Sequence, residues 1–348
     1  MFTTKCKPDI FKDFLEIDED SKIPKYQQLV DTFINDIEIG MVKIGEKMPS
    51  INETSEEFYL SRDTVIKAYE LLRNRGIITA VKGKGFYVSS TAKNKGKRIL
   101  LLFNKLSDHK KTIYNSFVSN LPEDSIVDLQ VHNCDSAVLE KIIIENLGKY
   151  DYYVIMPHLK TETESVKAAI NKIPKDKLVL VNKDLDHIDG DYACVYEDFE
   201  QDIYEGLTFG LNQIKNYSKL YLVFPSSNYY CSGIKNGFIK FCARNNFDWD
   251  ITNDSTQINI KPGELFIVIE ETDLVDVIKQ TTTKELKLGV DVGLISYNST
   301  PFKEILAGGI SVLSTDFERM GSTIAQMIMN KTKSKVKNPF SFTRRNSI

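Results

Sequence analysis

The chain of 348 residues has few of the features that mark secreted, metal-binding or membrane proteins. Its five cysteines are odd in number and form no C-x-x-C pair, and its four histidines lack metal-ligand spacing. Neither a disulfide framework nor a zinc site is therefore expected. No apolar run approaches the roughly 18 residues that span a bilayer, and no signal segment follows the first lysines. We expect a soluble, cytoplasmic protein with reduced thiols and with no metal, cofactor or membrane partner.

The chain also lacks an excess of charge of one sign. Its net charge is −3, which argues against a general polyanion binder. The charges are unevenly distributed, because residues 9–38 carry nine acids and three bases whereas residues 43–97 carry eleven bases and six acids. A basic block of this kind is the electrostatic footprint of a nucleic-acid partner.

Enzyme motifs are missing as well. There is no G-x-S-x-G elbow and no G-x-x-x-x-G-K-[ST] phosphate loop. The glycines around Lys84 are followed by a β-prone run rather than by a helix, so they do not form a phosphate loop. We expect no catalytic residues and no enzymatic activity.

Residues 24–88 carry the clearest pattern in the chain. A first helix is predicted by apolar residues at steps of three and four, namely Tyr26, Leu29, Val30, Phe33, Ile34 and Ile37. Ser50 and Glu53 have the spacing of a capping box that opens a short second helix, to about Phe58. After a turn at Tyr59-Leu60, Ser61 caps a third helix, which Gly76 ends.

The third helix and the following hairpin predict contacts with DNA. The third helix buries Val65, Ala68, Tyr69 and Leu72, and two β-prone runs, 77–81 and 86–88, flank a cationic, glycine-rich tip. Two short helices around a tight turn place the second one in a major groove, with its first residues nearest the bases. The candidate DNA-binding residues are Lys47, Ser50, Asn52, Ser61, Arg62, Asp63, Thr64, Lys67, Lys82, Gly83, Lys84 and Gly85.

This segment resembles the DNA-binding domain of GntR-family transcription regulators. The matching pieces, in the family's order and spacing, are PKYQQL (24–29), GEKMPS (45–50), LSRDTV (60–65) and GKGFYV (83–88). Two departures stand out, because many members have arginine where Asn52 stands and a basic residue where Ile66 stands. The phosphate contacts are then expected to be weaker or to shift onto Lys47 and Lys67.

The ends of this segment are less regular. Ile10, Phe11, Phe14 and Leu15 lie on one helical face, and a short helix or a frayed arm are both compatible with residues 1–20. Residues 89–97 are polar and aperiodic, which is typical of a linker.

Beyond the linker, apolar strands alternate with helices, which predicts parallel sheets covered on both faces. The expected strands are 98–103, 126–131, 152–156, 178–182, 192–195, 219–224, 265–269 and 290–296. The expected helices are 110–120, 137–147, 199–214, 231–245, 273–280 and 316–330. Such sheets bind ligands at the carboxyl ends of their strands.

Residues 98–348 resemble the periplasmic-binding-protein-like effector domain of LacI-type regulators. The resemblance is sharpest at DFEQ (198–201), YNSTP (297–301), ERMG (318–321) and the end of the chain, Pro339 with RNS (345–347). It implies that residues 331–337 return across two lobes rather than forming a basic tail. The fold class expected is α/β, with an N-terminal winged helix-turn-helix and a two-lobed domain built on parallel sheets.

The resemblance implies a sugar-binding cleft between the lobes. Effector-binding candidates by position are Asn104, Ser107, His158, Asn182, Lys183, Asp198, Ser232, Glu271 and Asn298. Asn298 stands where aspartate is frequent, Ser232 stands where arginine is, and Glu271-Thr272 replaces an asparagine-aspartate pair. Tyr229-Tyr230 and Phe199 are candidates for stacking on a sugar or for closing the core.

Together these features predict three parts: a DNA-binding domain (1–88, core 24–88), a linker (89–97) and an effector-binding and dimerisation domain (98–348). The expected function is a homodimeric repressor that binds double-stranded operator DNA under the control of a small molecule. By similarity to arabinose-type repressors the effector is a monosaccharide, either a pentose or a deoxyhexose such as fucose. The alternatives are a purine or sugar-phosphate effector, and a metabolic enzyme with a DNA-binding head.

Overall fold

The computed structural model describes residues 17–21, 23–90, 96–185, 188–226 and 230–348. Three predictions lie outside these residues: the short helix at residues 10–15, the middle of the linker at 91–95, and the role of Tyr229.

The N-terminal part, called the head below, has the predicted order of three helices and a hairpin. Its elements are α1 (Lys25–Glu38), α2 (Ile51–Glu57), α3 (Arg62–Asn74), β1 (Ile78–Val81) and β2 (Gly85–Val88). The capping box is confirmed, since the Glu53 amide donates to Ser50 Oγ at 3.2 Å and the Ser50 amide donates to Glu53 Oε2 at 2.6 Å. Gly76 follows α3 with a φ of +58°, as a residue that ends a helix in the left-handed region requires.

A buried tyrosine joins the two helices of the helix-turn-helix. Tyr69 of α3 is only 1% exposed. Its hydroxyl donates to the Pro49 carbonyl at 2.8 Å and lies 2.9 Å from Thr54 Oγ1 of α2. These bonds satisfy the polar end of a ring that otherwise packs against Phe33 and Phe86, so they fix how α2 and α3 meet.

Two lobes follow the head. The first lobe contains β3 (Arg98–Phe103), α4 (Asp108–Ser119), β4 (Ile126–Val131), α5 (Ser136–Asn146), β5 (Tyr152–Ile155), α6 (Glu164–Asn171), β6 (Leu178–Asn182) and β7 (Ala193–Tyr196). The second contains α7 (Phe199–Phe209), α8 (Leu211–Ile214), β8 (Lys219–Val223), α9 (Gly233–Asn245), β9 (Asp248–Thr252), β10 (Glu264–Val268), α10 (Glu271–Thr283), β11 (Val292–Tyr297), α11 (Pro301–Ile305) and β12 (Ser311–Thr315). The chain ends with α12 (Phe317–Asn330), β13 (Lys335–Lys337) and β14 (Phe340–Thr343).

Each lobe is built on a six-stranded sheet. The strand orders are β13-β7-β6-β5-β3-β4 in the first lobe and β14-β12-β11-β10-β8-β9 in the second. The predicted parallel pairing is confirmed, with one difference: β14 runs antiparallel to β12. The chain leaves the second lobe at the end of β12 and re-enters beside it, where the Asp316 amide donates to the Pro339 carbonyl at 3.0 Å. Because β14 starts beside the carboxyl end of β12, it runs in the opposite direction to β12.

Three chain segments connect the two lobes. They are residues 197–198 after β7, Asp316 after β12, and Asn338-Pro339 between β13 and β14. The expected return of residues 331–337 is confirmed, since β13 pairs with β7 in the first lobe and β14 with β12 in the second. A backbone hydrogen bond links two of these crossings, since the Asn338 amide donates at 2.7 Å to the carbonyl of Tyr196, the residue just before segment 197–198.

Small residues allow close helix packing in the second lobe. A Cβ at Gly237 of α9 would lie 2.2 Å from the Glu200 carbonyl oxygen of α7. The two helices can approach this closely only because no side chain stands there. Their contact closes one face of the second sheet around Phe238 and Ile203, which are fully buried.

The head rests on the first lobe through ion pairs at the edge where β5 and β6 begin. Arg75, which ends α3, lies 2.9 Å from Asp151 Oδ1, and both side chains are 18% exposed. The other carboxylate oxygen of Asp151 accepts the backbone amide of Arg98 at 2.8 Å. Two further pairs join α1 to this lobe: Lys177 with Asp31, and Lys331 with Glu38.

Within the described ranges, no helix is long and apolar enough to cross a membrane. The four cysteines in those ranges carry free thiols, and Cys134, Cys194 and Cys242 are buried.

Candidate functional site

The start of α3 presents an exposed polar surface. Arg62 and Asp63 occupy its first turn, and both are exposed. Lys67 follows one turn later, with its ammonium 4.1 Å from the centroid of the Tyr26 ring. This contact holds the Lys67 side chain against α1. Arg62 and Asp63, which the sequence places nearest to DNA, are therefore accessible at the start of α3.

The hairpin tip is a second exposed part of the head. Lys82, Gly83, Lys84 and Gly85 are all exposed, and the two glycines have φ values of +73° and +103°. Backbone of this kind strains any residue with a Cβ, which explains the alternation of glycine with lysine. Lys47 supports the tip, since its backbone pairs with Tyr87 and its Cε lies 3.2 Å from the position of a Cβ on Gly85.

The serine and threonine hydroxyls among the predicted DNA-binding residues form hydrogen bonds within the head. Ser50 and Ser61 cap α2 and α3, and the Thr64 hydroxyl lies 2.8 Å from Ser61 Oγ. Asn52 is exposed on the first turn of α2. Tyr59 was not among the predicted residues, although it is 96% exposed and holds a left-handed φ of +52° at the turn. An exposed aromatic at this position is visible in the sequence, but its conformation is not.

A cavity of about 410 Å³ lies between the two lobes, at the carboxyl ends of their parallel strands. Its size suits a small metabolite. Six of the predicted effector residues line it: Asn104, Ser107, His158, Asn182, Glu271 and Asn298. Phe199 and Tyr230, considered for stacking, also line it.

Three of the predicted effector residues do not line the cavity. Lys183 forms an ion pair with Glu162 at 2.6 Å. The Asp198 carboxylate caps α7 by accepting the Gln201 amide at 3.2 Å, and Ser232 is exposed before α9. Position after a strand is therefore too coarse a criterion at these sites, because local capping and pairing decide where each side chain goes.

Several polar atoms in the cavity wall lack a partner among the described residues. They are Asn104 Oδ1, Tyr297 Oη, Asn298 Oδ1 and Thr300 Oγ1. Asn104 and Tyr297 are only 6% and 5% exposed. Buried polar groups are normally hydrogen-bonded, so an unsatisfied set around one cavity points to a polar ligand that completes it.

Ionisable groups at the base of the cavity were not predicted. Burial raises the pKa of Glu197 to about 7, although the hydrogen bond from the Thr315 hydroxyl acts to lower it. Burial lowers the pKa of Lys110 to about 8, although the nearby charge of Glu197 acts to raise it. Burial likewise lowers the pKa of Lys303 to about 8, and its ammonium donates to the carbonyls of Tyr297 and Asn298 at 3.1 and 2.9 Å. Lys303 therefore supports the loop that carries Asn298.

His109 occupies the entrance of the cavity on α4. Its ring stacks on Phe317 with centroids 4.6 Å apart. Burial, followed by the charges of Lys303 and Lys110, lowers the pKa of His109 to about 4. The ring is therefore neutral at pH 7, and the local potential around it is positive.

No group of three or more histidine, cysteine or carboxylate side chains is arranged to hold a metal ion in the described part of the chain.

Comparison with known proteins gives separate matches for the head and for the two-lobed part. Residues 25–88 match the family described as bacterial regulatory proteins, gntR family. The repressor YtrA of Bacillus subtilis is 35% identical over 79 residues, which are 23% of this chain and 61% of that protein. The arabinose metabolism transcriptional repressor of Geobacillus stearothermophilus is 35% identical over 71 residues, which are 20% of each chain. Less than two thirds of either relative is therefore spanned.

The two-lobed part is similar to solved structures at the level of the fold. A LacI family transcriptional regulator from Silicibacter pomeroyi superposes with a TM-score of 0.59 at 12% identity, covering 72% of this chain and 98% of the other. The predicted GntR and LacI resemblances are thus confirmed for the two parts separately. The chain joins a three-helix head, which matches the gntR family over residues 25–88, to a two-lobed domain with the fold of LacI-family regulators.

Proposed function

We propose that this protein is a ligand-responsive transcriptional repressor that binds operator DNA through its head. One observation carries the proposal: a single chain combines an exposed cationic reading surface with a cleft whose buried polar atoms lack partners. YtrA and the Geobacillus protein are both named as repressors, which supports repression as the direction of regulation.

The first turn of α3 supplies base contacts in this proposal. The Arg62 guanidinium suits a guanine edge, and the Asp63 carboxylate suits a cytosine amino group. Lys47, Lys67, Lys82 and Lys84 contact phosphates, which fix the register without reading sequence. Gly83 and Gly85 allow the backbone of the tip to approach a minor groove.

The test is a fluorescence-anisotropy titration of an operator selected from random duplexes. We expect Arg62→Ala to weaken operator binding by about 1–3 kcal/mol while binding to random DNA changes little. Arg73→Ala is the matched control, because Arg73 is exposed at the other end of the same helix. Equal affinities of Arg62→Ala and wild type for the operator would refute the assignment.

The effector in this proposal is a monosaccharide of pentose or deoxyhexose size, bound in the cleft. The cavity volume, the unsatisfied amide oxygens of Asn104 and Asn298, and the rings of Phe199 and Tyr230 in the cavity wall support this choice. Rings at a cleft wall favour a ligand with one apolar face and several hydroxyls. Thermal-shift measurements on the full chain with arabinose, fucose and related sugars test it.

Dimerisation through the outer strands of the two sheets would set the spacing of the two heads. β4 and β9 are the last strands of their sheets, and they expose apolar side chains: Ile126 by 53%, Leu129 by 39% and Trp249 by 37%. Exposed apolar side chains on the outer strand of each lobe suit a two-fold pairing of chains. Sedimentation of wild type and of Leu129→Glu tests this, since the charged variant should shift toward monomer.

A further inference from the structure

The amino-terminal end of α4 opens into the cleft with donors that lack partners. Residues 107–110, which start this helix, all line the cavity. Ser107 Oγ accepts the Lys110 amide at 3.3 Å. The amides of Asp108 and His109 precede the first intrahelical bonds and have no acceptor among the described residues. Such amides, together with the helix dipole, favour an anion.

A second observation at the same place is the ammonium group of Lys110. The residue is 9% exposed, its side chain lines the cavity, and its ammonium makes no direct hydrogen bond or ion pair within the described ranges. The charge of Glu197 acts on this ammonium without a direct bond to it. The donors of the ammonium are therefore open to a negatively charged group in the cleft.

None of the carboxylates that line the cavity forms an ion pair with Lys110 in the described part of the chain. Glu271 lies 3.9 Å from the Lys303 ammonium on the second lobe. Glu197 is near enough for its charge to act on Lys110, but its carboxylate accepts the Thr315 hydroxyl. Glu270 interacts with the Tyr230 hydroxyl, and Asp108 is exposed.

We propose that the effector is a monosaccharide bearing an oxyanion, either a phosphate ester or a carboxylate, and that this group binds the α4 amides and Lys110. The inference deepens the proposed function and depends on it, since it assumes that the cleft is the effector site. The sugar frame faces the unsatisfied atoms of Asn104, Tyr297 and Asn298, and the oxyanion faces the first lobe.

Matched ligand pairs test the charge directly by calorimetry on the full chain. The pairs are ribose with ribose 5-phosphate, arabinose with arabinose 5-phosphate, and galactose with galacturonate, with inorganic phosphate alone as a further probe. We expect one anionic member to bind about tenfold or more tightly than its neutral partner, as a charge-assisted hydrogen bond implies. The phosphate and carboxylate pairs distinguish the two kinds of oxyanion. Equal or tighter binding of the neutral members would overturn the proposal.

Lys110→Met separates a ligand-binding role from a structural one. Its matched control is Lys111→Met, since Lys111 is the next residue of α4 and is exposed. Lys110→Met should lose the preference for the anionic sugar by about tenfold or more, because the charge-assisted bond to the oxyanion is gone. Its melting temperature without ligand reports whether the fold is kept. Lys111→Met should change neither. A Lys110→Met protein that keeps the anionic preference contradicts the proposal.

Operator binding distinguishes the failure of this inference from that of the proposed function. If a neutral sugar alone binds and shifts operator affinity, the regulator remains and the oxyanion site is wrong. If no member of any pair binds while operator binding persists, the cleft is not a monosaccharide site and the inference is overturned with it.

Discussion

Lys84 and Arg62 are both exposed, but we expect their substitutions to change DNA binding in different ways. Lys84 is at the hairpin tip between two glycines and contacts phosphate in the proposed function, so Lys84→Ala should weaken binding to all duplexes uniformly. The slope of log affinity against log salt should fall by about one. Titrations of operator and random duplex at several salt concentrations measure this. A loss restricted to the operator would mean that Lys84 reads bases.

His109 makes stability depend on pH. Its folded-state pKa is about 4 against an ordinary 6.5, so between these values the unfolded chain binds more protons and stability falls as pH falls. His109→Gln should lose less stability than wild type between pH 6.5 and pH 4 in chemical denaturation. Lys111→Gln, as a control, should follow wild type. Parallel curves for His109→Gln and wild type would contradict the assigned burial.

Single residues show what could and could not be predicted at this scale. Asn182 and Asn298 were predicted from their places after strands, and both line the cleft. Their φ values of +75° and +60° add a local reason for asparagine, which tolerates the left-handed region. Lys110 was not predicted, because a lysine in a helical first turn has the pattern of an exposed residue. Its burial depends on how the lobes meet, which no local pattern encodes.

At the scale of elements, the contact between α7 and α9 holds the second lobe together. Gly237→Ala would place a methyl group 2.2 Å from the Glu200 carbonyl oxygen, so the helices would have to separate. We expect a loss of about 1–3 kcal/mol in the free energy of unfolding, as overpacking typically gives. Urea denaturation measures it, with Asn236→Ala on the exposed side of the same helix as control. Unchanged stability of Gly237→Ala would contradict this packing.

The elements that were predicted have strong local signals. The capping box of α2 and the apolar stripes of α1 and α3 are short-range patterns, and apolar runs identify the central strands. β9, with its sequence DWDIT (248–252), was missed because an edge strand is half exposed and carries charges. β13 has lysines at both ends and three residues. It forms a strand only because β7 is already in place to pair with it.

At the scale of the whole molecule, the head is held to the first lobe opposite the cleft. Asp151→Asn removes the charge that faces Arg75 while keeping an acceptor for the Arg98 amide. We expect faster hydrogen exchange in the last turn of α3 and in residues 75–78, because the docked state is less populated. Asp128→Asn is the control, since Asp128 lies 3.7 Å from Arg98 within the lobe. Equal exchange in Asp151→Asn and wild type would contradict a docked head.

This docking gives the proposed regulation a physical route. Closing the cleft moves the two lobes about the three connecting segments, and the first lobe carries the head through Asp151 and Lys177. In a dimer such a movement changes the distance between two α3 helices. Coupling between two sites is commonly worth about 1–3 kcal/mol, or about 5- to 150-fold in affinity.

The most direct test of the central claim is the operator affinity of the full-length protein, measured against random duplex with and without ligand. The account predicts a preference for one selected duplex over random competitor, a steep decrease with salt, and a change of about fivefold or more when the cleft is filled. A protein that binds all duplexes alike, or whose operator affinity is the same with the cleft empty and filled, would contradict it.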